Sequence, residues 1–305
     1  MTLTELRYLV ALAAERHFGR AAERCFVSQP TLSVAVRKFE EELGVALFER
    51  GNNELQLTPV GRQIVEQAQR TLHEAERIRE IADQGKDHLA GTLRLGAIYT
   101  IGPYLLPELA PRLARLAPQL ALTLQENYTD RLLEALRQGE LDVIIIALPH
   151  SESGMVSLPL YDEPFRTVTP ASHRWHAAAA IQPAWLLEEP LLMLSAGNCF
   201  RDQVLDLCAH ASGQAGSRAP RLLEGSSLET LRRMVSAGMG VTVMPASAAD
   251  PLVGTDPTLA VLPFVEPEPY RRVGLVWRSS FPRNRVIDLL RHAIQDCALP
   301  GCRPV

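Results

Sequence analysis

The sequence lacks the features of a membrane protein and of a secreted, disulfide-bonded one. Its apolar runs, such as Val143–Leu148, are far shorter than the roughly 20 residues that a membrane-spanning helix needs. Glu5 and Arg7 precede most apolar residues at the amino terminus, where a secretory signal would carry an apolar core. The five cysteines are an odd number, which argues against a framework of static disulfides. We therefore expect a cytoplasmic protein with no membrane association.

A net positive charge is also missing. The chain has 31 Lys and Arg against 35 Asp and Glu, a formal charge of −4 that slightly disfavours nucleic-acid binding through bulk electrostatics. A nucleic-acid partner must therefore be argued from local geometry. Hydrophobic residues make up 47% of the 305 residues, which is enough to form the packed cores of two or three domains.

The first 58 residues have the pattern of short helices followed by a hairpin. Ser28 is predicted to cap a helix that has Pro30 in its tolerated first turn, and Gly44 is predicted to end it. Apolar residues at helical spacing between these two signals predict an inward face. Residues 49–57 carry Gly-Asn-Asn turn chemistry between two short strands, the shape of a wing.

The outward face of that capped helix carries residue types that read DNA. The Gln29 amide suits an adenine edge, the Thr31 methyl suits a thymine methyl, and basic side chains further along suit phosphates. The candidate DNA-binding residues are Ser28, Gln29, Pro30, Thr31, Ser33, Arg37, Lys38 and, in the wing, Arg50. The pattern alone leaves open an ordinary solvated helix face.

A long helix is predicted after the hairpin. Thr58 caps it, Pro59 opens it, and a single apolar stripe continues to about Gly85. A helix of that length with one apolar face needs a partner, and the same helix of a second subunit would supply one. The alternative is that the stripe packs on its own chain.

From about Leu89 the pattern changes to alternating strands and helices. Strands are predicted at 92–98, 121–127 and 143–148, with helices at 104–116 and 130–142 between them. Further strands are predicted near 166–169, 190–194, 240–244 and 273–277. This order predicts a parallel sheet covered by helices.

The segment 18–61, FGRAAERCFVSQPTLSVAVRKFEEELGVALFERGNNELQLTPVG, resembles the winged helix-turn-helix of LysR-type transcriptional regulators. The resemblance implies an α/β protein with an all-α-rich N-terminal winged helix-turn-helix and an effector domain of two Rossmann-like lobes, similar to periplasmic binding proteins. The implied domains are 1–58 for DNA binding, 59–88 for the dimerisation linker helix, and 89–305 for regulation, with lobe I about 89–162 and 268–305 and lobe II about 163–267. The implied partners are double-stranded promoter DNA, RNA polymerase, and further copies of the chain in a homodimer or homotetramer. A regulator of this kind is not an enzyme.

Two cysteines, Cys199 and Cys208, lie nine positions apart in the amphipathic stretch GNCFRDQVLDLC. The spacing is poor for zinc, whose ligands usually come in close pairs, so we expect no metal and no other cofactor. Cys208, among apolar neighbours, suits a buried core position. Cys199 follows a loop at a predicted helix start, where oriented amides and nearby Arg201 should favour the thiolate.

A helix over this stretch would keep the two thiols apart. Nine residues of helix separate the Cα atoms by about 13 Å and place the side chains on opposite faces. A disulfide needs Cα atoms roughly 4.4 to 6.8 Å apart. If the segment is helical, a bond between Cys199 and Cys208 therefore requires the helix to unwind.

The stretches GNCFRDQVLDLC, GAIYTIGPYLLP, SSLETLRRMVSAGMG and YRRVGLVWR are similar to those of the hydrogen-peroxide sensors within the LysR family. This resemblance implies that Cys199 becomes a sulfenic acid, that Cys208 closes a reversible disulfide, and that the regulator controls antioxidant genes. It also implies that Thr100, Thr129, Asp202 and Arg271 surround the hydrogen peroxide.

The chain departs from some of these sensors at two positions. Asn198 and Leu222 stand where some of them have His, which bears on proton handling and reaction rate. Two other functions remain open. One is a LysR-type regulator that binds a small organic effector and has structural cysteines. The other is a thiol peroxidase, which would have no use for residues 1–58.

Overall fold

A computed structural model of the chain describes residues 1–50, 55–84, 89–212 and 221–305. The chain forms two compact units, Met1–Asp87 and His88–Val305. None of the helices within the described ranges is long and apolar enough to cross a membrane.

The first unit contains the predicted helices and hairpin. Its elements are α1 (Leu3–Glu15), α2 (Phe18–Arg24), α3 (Gln29–Leu43), β1 (Phe48–Arg50), β2 (Leu55–Leu57) and α4 (Pro59–Gln84), with β1 and β2 antiparallel. The Ser28 hydroxyl accepts a hydrogen bond from the Thr31 backbone N–H, and Gly44 adopts φ 69° where α3 ends, so both predicted signals are confirmed. The turn residues Gly51, Asn52 and Asn53 lie outside the described residues.

Helix α4 packs partly on its own unit. The Thr58 hydroxyl accepts a hydrogen bond from the Gly61 N–H at 2.8 Å, so Thr58 caps the helix as predicted. Val65 and Ala68 are buried in the core that α1 and α3 share, so the alternative of packing on the same chain holds for this half of the stripe. Ile78, further along the stripe, is 69% exposed and offers an apolar surface to a partner.

The second unit alternates strands and helices. Its elements are β3 (Gly91–Ile98), α5 (Gly102–Leu116), β4 (Leu120–Asn127), α6 (Thr129–Gln138), β5 (Val143–Leu148), β6 (Met155–Pro170), β7 (Pro190–Leu194), α7 (Cys199–Ser212), β8 (Arg221–Gly225), α8 (Leu228–Ser236), β9 (Val241–Pro245), α9 (Ala246–Ala249), β10 (Leu259–Pro263), β11 (Tyr270–Arg278), α10 (Asn284–Gln295) and β12 (Arg303–Pro304). Helix α6 is shorter than predicted because Gly139 adopts φ 76° and stops it.

The predicted parallel pairing of the strands at 92–98, 121–127 and 143–148 is confirmed, because β3 runs parallel to β4 and to β5. The sheet as a whole is mixed. Strands follow the order β4-β3-β5-β11-β6-β9-β7-β8, and β11 and β6 run antiparallel to their neighbours. The sequence predicted only the end of the 16-residue β6, because Pro159 and Pro164 interrupt its strand pattern. Strand β6 passes between two cores, giving Leu160 to the first and Phe165 to the second. Residues of both cores therefore meet around the middle of β6.

Candidate functional site

Helix α7 separates the two cysteines, as its spacing predicted. Cys199 is its first residue, half-buried, and packs against the first core. Phe200, Val204 and Cys208 follow at intervals of four residues and are buried in the second core. Burial raises the pKa of the Cys208 thiol to about 11. Neither thiol is part of a disulfide, and the helix holds the two on opposite faces, about 13 Å apart along its axis.

A buried arginine from β11 lies beside the amino terminus of α7. Arg271 donates from Nη1 to Thr100 Oγ1 at 2.7 Å, from Nη2 to the Thr100 carbonyl at 2.8 Å, and from Nε to Glu163 Oε2 at 2.7 Å. Its guanidinium carbon lies 5.2 Å from the centre of the Phe200 ring. Burial opposes the charged form, but the Glu163 carboxylate and the nearby Cys199 sulfur both act to raise the pKa of Arg271. The guanidinium therefore connects Thr100 to the start of α7.

The loops that carry the two predicted threonines lie side by side. The rings of Tyr99 and Tyr128, the residues before Thr100 and Thr129, meet edge to face with centroids 5.3 Å apart. A Cβ built on Gly197, two residues before the helix-start cysteine, would lie 3.8 Å from the Tyr128 ring. The Thr129 hydroxyl is buried and has no hydrogen-bond partner in the described structure. It therefore keeps both its donor and its acceptor for a small polar ligand.

Arg201, which was expected to favour the Cys199 thiolate, has other partners in the structure. Its guanidinium donates to Glu224 at 2.6 Å and to the Leu194 carbonyl at 2.9 Å. The Arg201 guanidinium forms an ion pair with the Glu224 carboxylate on β8, so its charge is not directed only at the Cys199 thiol. The buried guanidinium beside the start of α7 is that of Arg271, which is distant in the sequence.

Asp202 was expected in the site, and Asn198 and Leu222 stand where some related sensors have His. Asp202 is exposed in the first turn of α7 and pairs with none of the described cations, so the structure does not bring it into the buried group. Asn198 is buried, and its Nδ2 donates to the Ser195 carbonyl at 3.1 Å, which ties down the loop before α7. Leu222 is part of β8, where it pairs with Leu191 of β7.

Sequence reasoning missed two residues of this group. Glu163 lies 108 positions before Arg271, and no local pattern links them. Gln203 has a buried side-chain oxygen without a hydrogen-bond partner among the described residues. The sequence could have indicated Gln203, because a spacing of four residues in a helix places it on the same face as Cys199.

The candidate DNA-binding residues lie on one helix and its wing. Ser28 caps α3, Gln29, Pro30, Thr31, Arg37 and Lys38 are exposed, Ser33 is half-buried, and Arg50 ends β1. Arg37 Nε donates to Glu41 at 3.0 Å, and Arg24 donates to Glu15 at 3.0 Å, so part of the local positive charge is already paired. Such pairs would have to open to reach phosphates.

The three remaining cysteines pack against cores. Cys25 is half-buried against the core of the first unit, while Cys297 and Cys302 border the first core of the second unit. Burial raises the pKa of all three thiols. Each is therefore less reactive than an exposed thiol at neutral pH.

A winged helix-turn-helix followed by a two-core α/β unit defines a class of bacterial transcription regulators, and comparison with known families agrees. The model of the bacterial regulatory helix-turn-helix proteins of the lysR family matches residues 3–62. The model of the LysR substrate binding domain matches residues 86–298. The chain belongs to the LysR family.

Within that family the chain is similar to OxyR proteins. It is 41% identical over 295 residues to the DNA-binding transcriptional dual regulator OxyR of Escherichia coli K12, covering 97% of this chain and 95% of the relative. A full-length OxyR variant from Pseudomonas aeruginosa superposes with a TM-score of 0.81 at 51% identity, covering 99% of this chain and 98% of that one. The oxidised form of Corynebacterium glutamicum OxyR superposes with a TM-score of 0.58 at 36% identity, covering 97% and 91%.

Proposed function

We propose that this chain is a hydrogen-peroxide-sensing transcription regulator of the OxyR type, with Cys199 as its peroxide-reacting thiol and Cys208 as its resolving thiol. The observation that carries the proposal is the placement of Cys199. It begins a helix beside the buried Arg271, while the second thiol of the pair is held on the opposite face of that helix. The similarity to OxyR proteins over almost the whole chain supports the same function.

The first chemical step joins Cys199 to one oxygen of the peroxide. The thiolate attacks that oxygen, the O–O bond breaks, and the leaving hydroxide takes up a proton to become water, so that a sulfenic acid remains. A lowered thiol pKa alone gains at most about tenfold in thiolate at about pH 7.5, and it weakens the nucleophile. Donors must therefore hold the peroxide and stabilise the departing oxygen. The hydroxyls of Thr100 and Thr129, with Arg271 behind Thr100, are suited to that role.

The second step requires α7 to unwind. The Cys208 thiolate attacks the sulfenic sulfur of Cys199, the S–O bond breaks, and the leaving hydroxide takes up a proton to become water. Because the two side chains lie on opposite faces of α7, the attack needs the intervening turns to open. Opening removes Phe200 and Val204 from the second core as well, so a bond between two atoms becomes a rearrangement of the whole segment.

Residues 1–58 supply the output. We assign DNA reading to the exposed face of α3 and to the wing. We assign dimerisation to the part of α4 around the exposed Ile78. A homodimer or homotetramer on double-stranded promoter DNA would change its contacts with the DNA when α7 refolds. The recruitment of RNA polymerase would change as a result. This output takes place in the cytoplasm and controls antioxidant genes.

A regulator of the same family that binds a small organic effector is the second candidate. A cavity of about 510 Å³ beside Gln203 and Arg271 favours it. The cations that line this cavity already have carboxylate partners: Arg271 pairs with Glu163 and Arg272 with Asp162. An anionic effector would have to displace one of these pairs, so we favour peroxide.

The experiment treats the reduced full-length protein with equimolar hydrogen peroxide. We expect mass spectrometry to find a peptide cross-linked between Cys199 and Cys208, and we expect the DNA footprint to change. Cys199→Ser should lose both responses, while Cys297→Ala, which changes a buried thiol outside the group, should keep both. If Cys199→Ser still responds to peroxide as the wild type does, the organic-effector function is the better assignment.

A further inference from the structure

Glu163 is a carboxylate without any exposure, at the point where β6 passes between the two cores. Its side chain is 1% accessible, and that of its partner Arg271 is 0% accessible. Both oxygens are used: Oε2 accepts from Arg271 Nε at 2.7 Å, and Oε1 accepts from the Ser247 backbone N–H at 3.1 Å. A charge buried so deeply is costly unless it is paired and hydrogen-bonded. Glu163 meets this requirement through Arg271 and Ser247, which fixes the carboxylate and the guanidinium relative to each other.

The strand register places two carboxylate–arginine pairs next to each other on opposite faces. Glu163 of β6 lies across from Arg271 of β11, and Asp162 lies across from Arg272. The second pair also forms an ion pair at 2.7 Å, but its side chains are 40% and 23% accessible for the arginine and the aspartate. The same two strands therefore hold one pair inside the candidate site and one outside it.

The buried pair fixes the direction in which the Thr100 hydroxyl donates. Arg271 gives Nε to Glu163 and one hydrogen bond from each terminal nitrogen to Thr100. A guanidinium has only donors, so Thr100 Oγ1 accepts from it and must direct its own proton elsewhere. The hydroxyl proton is thus available to a ligand. If Arg271 rotated away, the hydroxyl could turn to other acceptors.

We propose that Glu163 is a positioning residue of the peroxide site: it holds the Arg271 guanidinium, which in turn makes the Thr100 hydroxyl a donor toward the bound peroxide. This inference rests on the proposed peroxide-sensing function. Glu163 also neutralises the charge of Arg271, so Arg271 serves as an oriented donor more than as a free positive charge beside Cys199. The site is joined to α9 through the Ser247 N–H, which holds the other carboxylate oxygen.

The test compares two reactions of Cys199 in the reduced full-length protein, each followed by mass spectrometry of the peptide that carries it. One reaction is with hydrogen peroxide and needs the donors; the other is with iodoacetamide and needs only an accessible thiolate. For Glu163→Gln we expect the peroxide rate to fall by about tenfold to a hundredfold, as for other misplaced or missing donors. The iodoacetamide rate should stay equal or rise, because the charge of Arg271 is no longer neutralised.

Asp162→Asn is the matched control, since it makes the same carboxylate-to-amide change one residue away on the outer face. Both of its rates should match the wild type. If both rates of Glu163→Gln change together, or neither changes, Glu163 has only a structural role and the inference is wrong. If the wild type itself does not react with peroxide at Cys199, the proposed function fails instead.

Glu163→Asp covers the case in which the amide variant does not fold. It keeps the charge that Arg271 needs, but it is one methylene shorter and cannot reach both Arg271 and the Ser247 N–H as Glu163 does. We expect a smaller loss of the peroxide rate, again without loss of the iodoacetamide rate. A wild-type peroxide rate in this variant would overturn the inference.

Discussion

Helices α3 and α7 have similar buried faces but different proposed functions. Each buries a short apolar stripe in the core of its own unit, Leu32, Val36 and Phe39 in α3 and Phe200, Val204 and Cys208 in α7. The difference lies in the remaining residues. Helix α3 has a side-chain cap at its start, a glycine at its end, and an exposed polar face between them. Helix α7 has a thiol at its start and a second thiol within its stripe.

The difference indicates what each helix has to do. The proposed work of α3 is to present side chains to a DNA groove, which needs the helix to stay folded. The proposed role of α7 is to unwind when Cys199 is oxidised. Its buried apolar residues must therefore be able to leave the core. Cys208 meets both needs, because as a neutral thiol it packs like a small hydrophobic residue and as a thiolate it is a nucleophile.

The largest expected effect concerns the charge state of Cys208. Its pKa is raised to about 11, so the folded state favours the neutral thiol. This contribution to stability is fully present below the unfolded pKa of the thiol and is lost as the pH rises through about 11. At about 1.4 kcal/mol per pKa unit, the loss amounts to at most about 3 kcal/mol.

The measurement is the free energy of unfolding in denaturant, under reducing conditions, at pH values from 8 to about 11. Wild type and Cys208→Ala should differ less and less as the pH rises, because only the wild type has this thiol to ionise. Parallel curves would mean that folding does not raise the pKa of Cys208, and the comparison with α3 would lose its main support.

A smaller effect is expected when each stripe is weakened by the same change. Val204 of α7 and Val36 of α3 are both 3% exposed. Truncation of either to Ala removes two methylene equivalents, about 1.6 kcal/mol of burial. In Val204→Ala, unwinding costs less, so the disulfide should close faster after Cys199 is oxidised, by up to about tenfold.

Val36→Ala is the matched control for that experiment. It should weaken the first unit and its affinity for DNA while leaving the rate of disulfide closure unchanged. The rate is followed by stopped-flow oxidation with an acid quench, and the affinity by titration of labelled DNA. An unchanged closure rate in Val204→Ala would show that α7 does not have to unwind in the rate-limiting step.

The same comparison shows which features the sequence could predict. Helix α3 could be predicted from its cap, its stripe and Gly44, all within one segment, and the opposed thiols of α7 follow from a spacing of nine residues. The surroundings of Cys199 could not be predicted in this way. Arg271 meets Glu163 only because two antiparallel strands come together, and the prolines of β6 hid its full length.

Arg201 shows the same limit from the other side. Proximity in the sequence suggested that it would act on Cys199, but a carboxylate on β8 binds it instead, and that strand had not been predicted. Local patterns indicate where a helix begins and which face is apolar. They do not indicate which residues, distant in the sequence, will pair with the charged side chains of that helix.

The smallest expected effect tests the exposed face of α3. Val34 is 66% exposed, on the same face as Thr31 and Lys38, and an apolar side chain there suits contact with a thymine methyl. Replacing individual thymines of the binding site with uracil removes only that methyl. At the contacted position this should weaken the wild type by about fourfold, the value of one buried methylene.

Val34→Ala should no longer distinguish thymine from uracil at that position, and the two changes should not add. Lys38→Gln is the control: it should bind all sequences more weakly, with a shallower salt dependence, and still distinguish the two bases. Equal sensitivity to uracil in Val34→Ala and wild type would remove Val34 from the reading face. Loss of the distinction at one base pair would show that Val34 contacts that thymine methyl from the exposed face of α3, a surface role for which α7, with its thiols and buried stripe, has no equivalent.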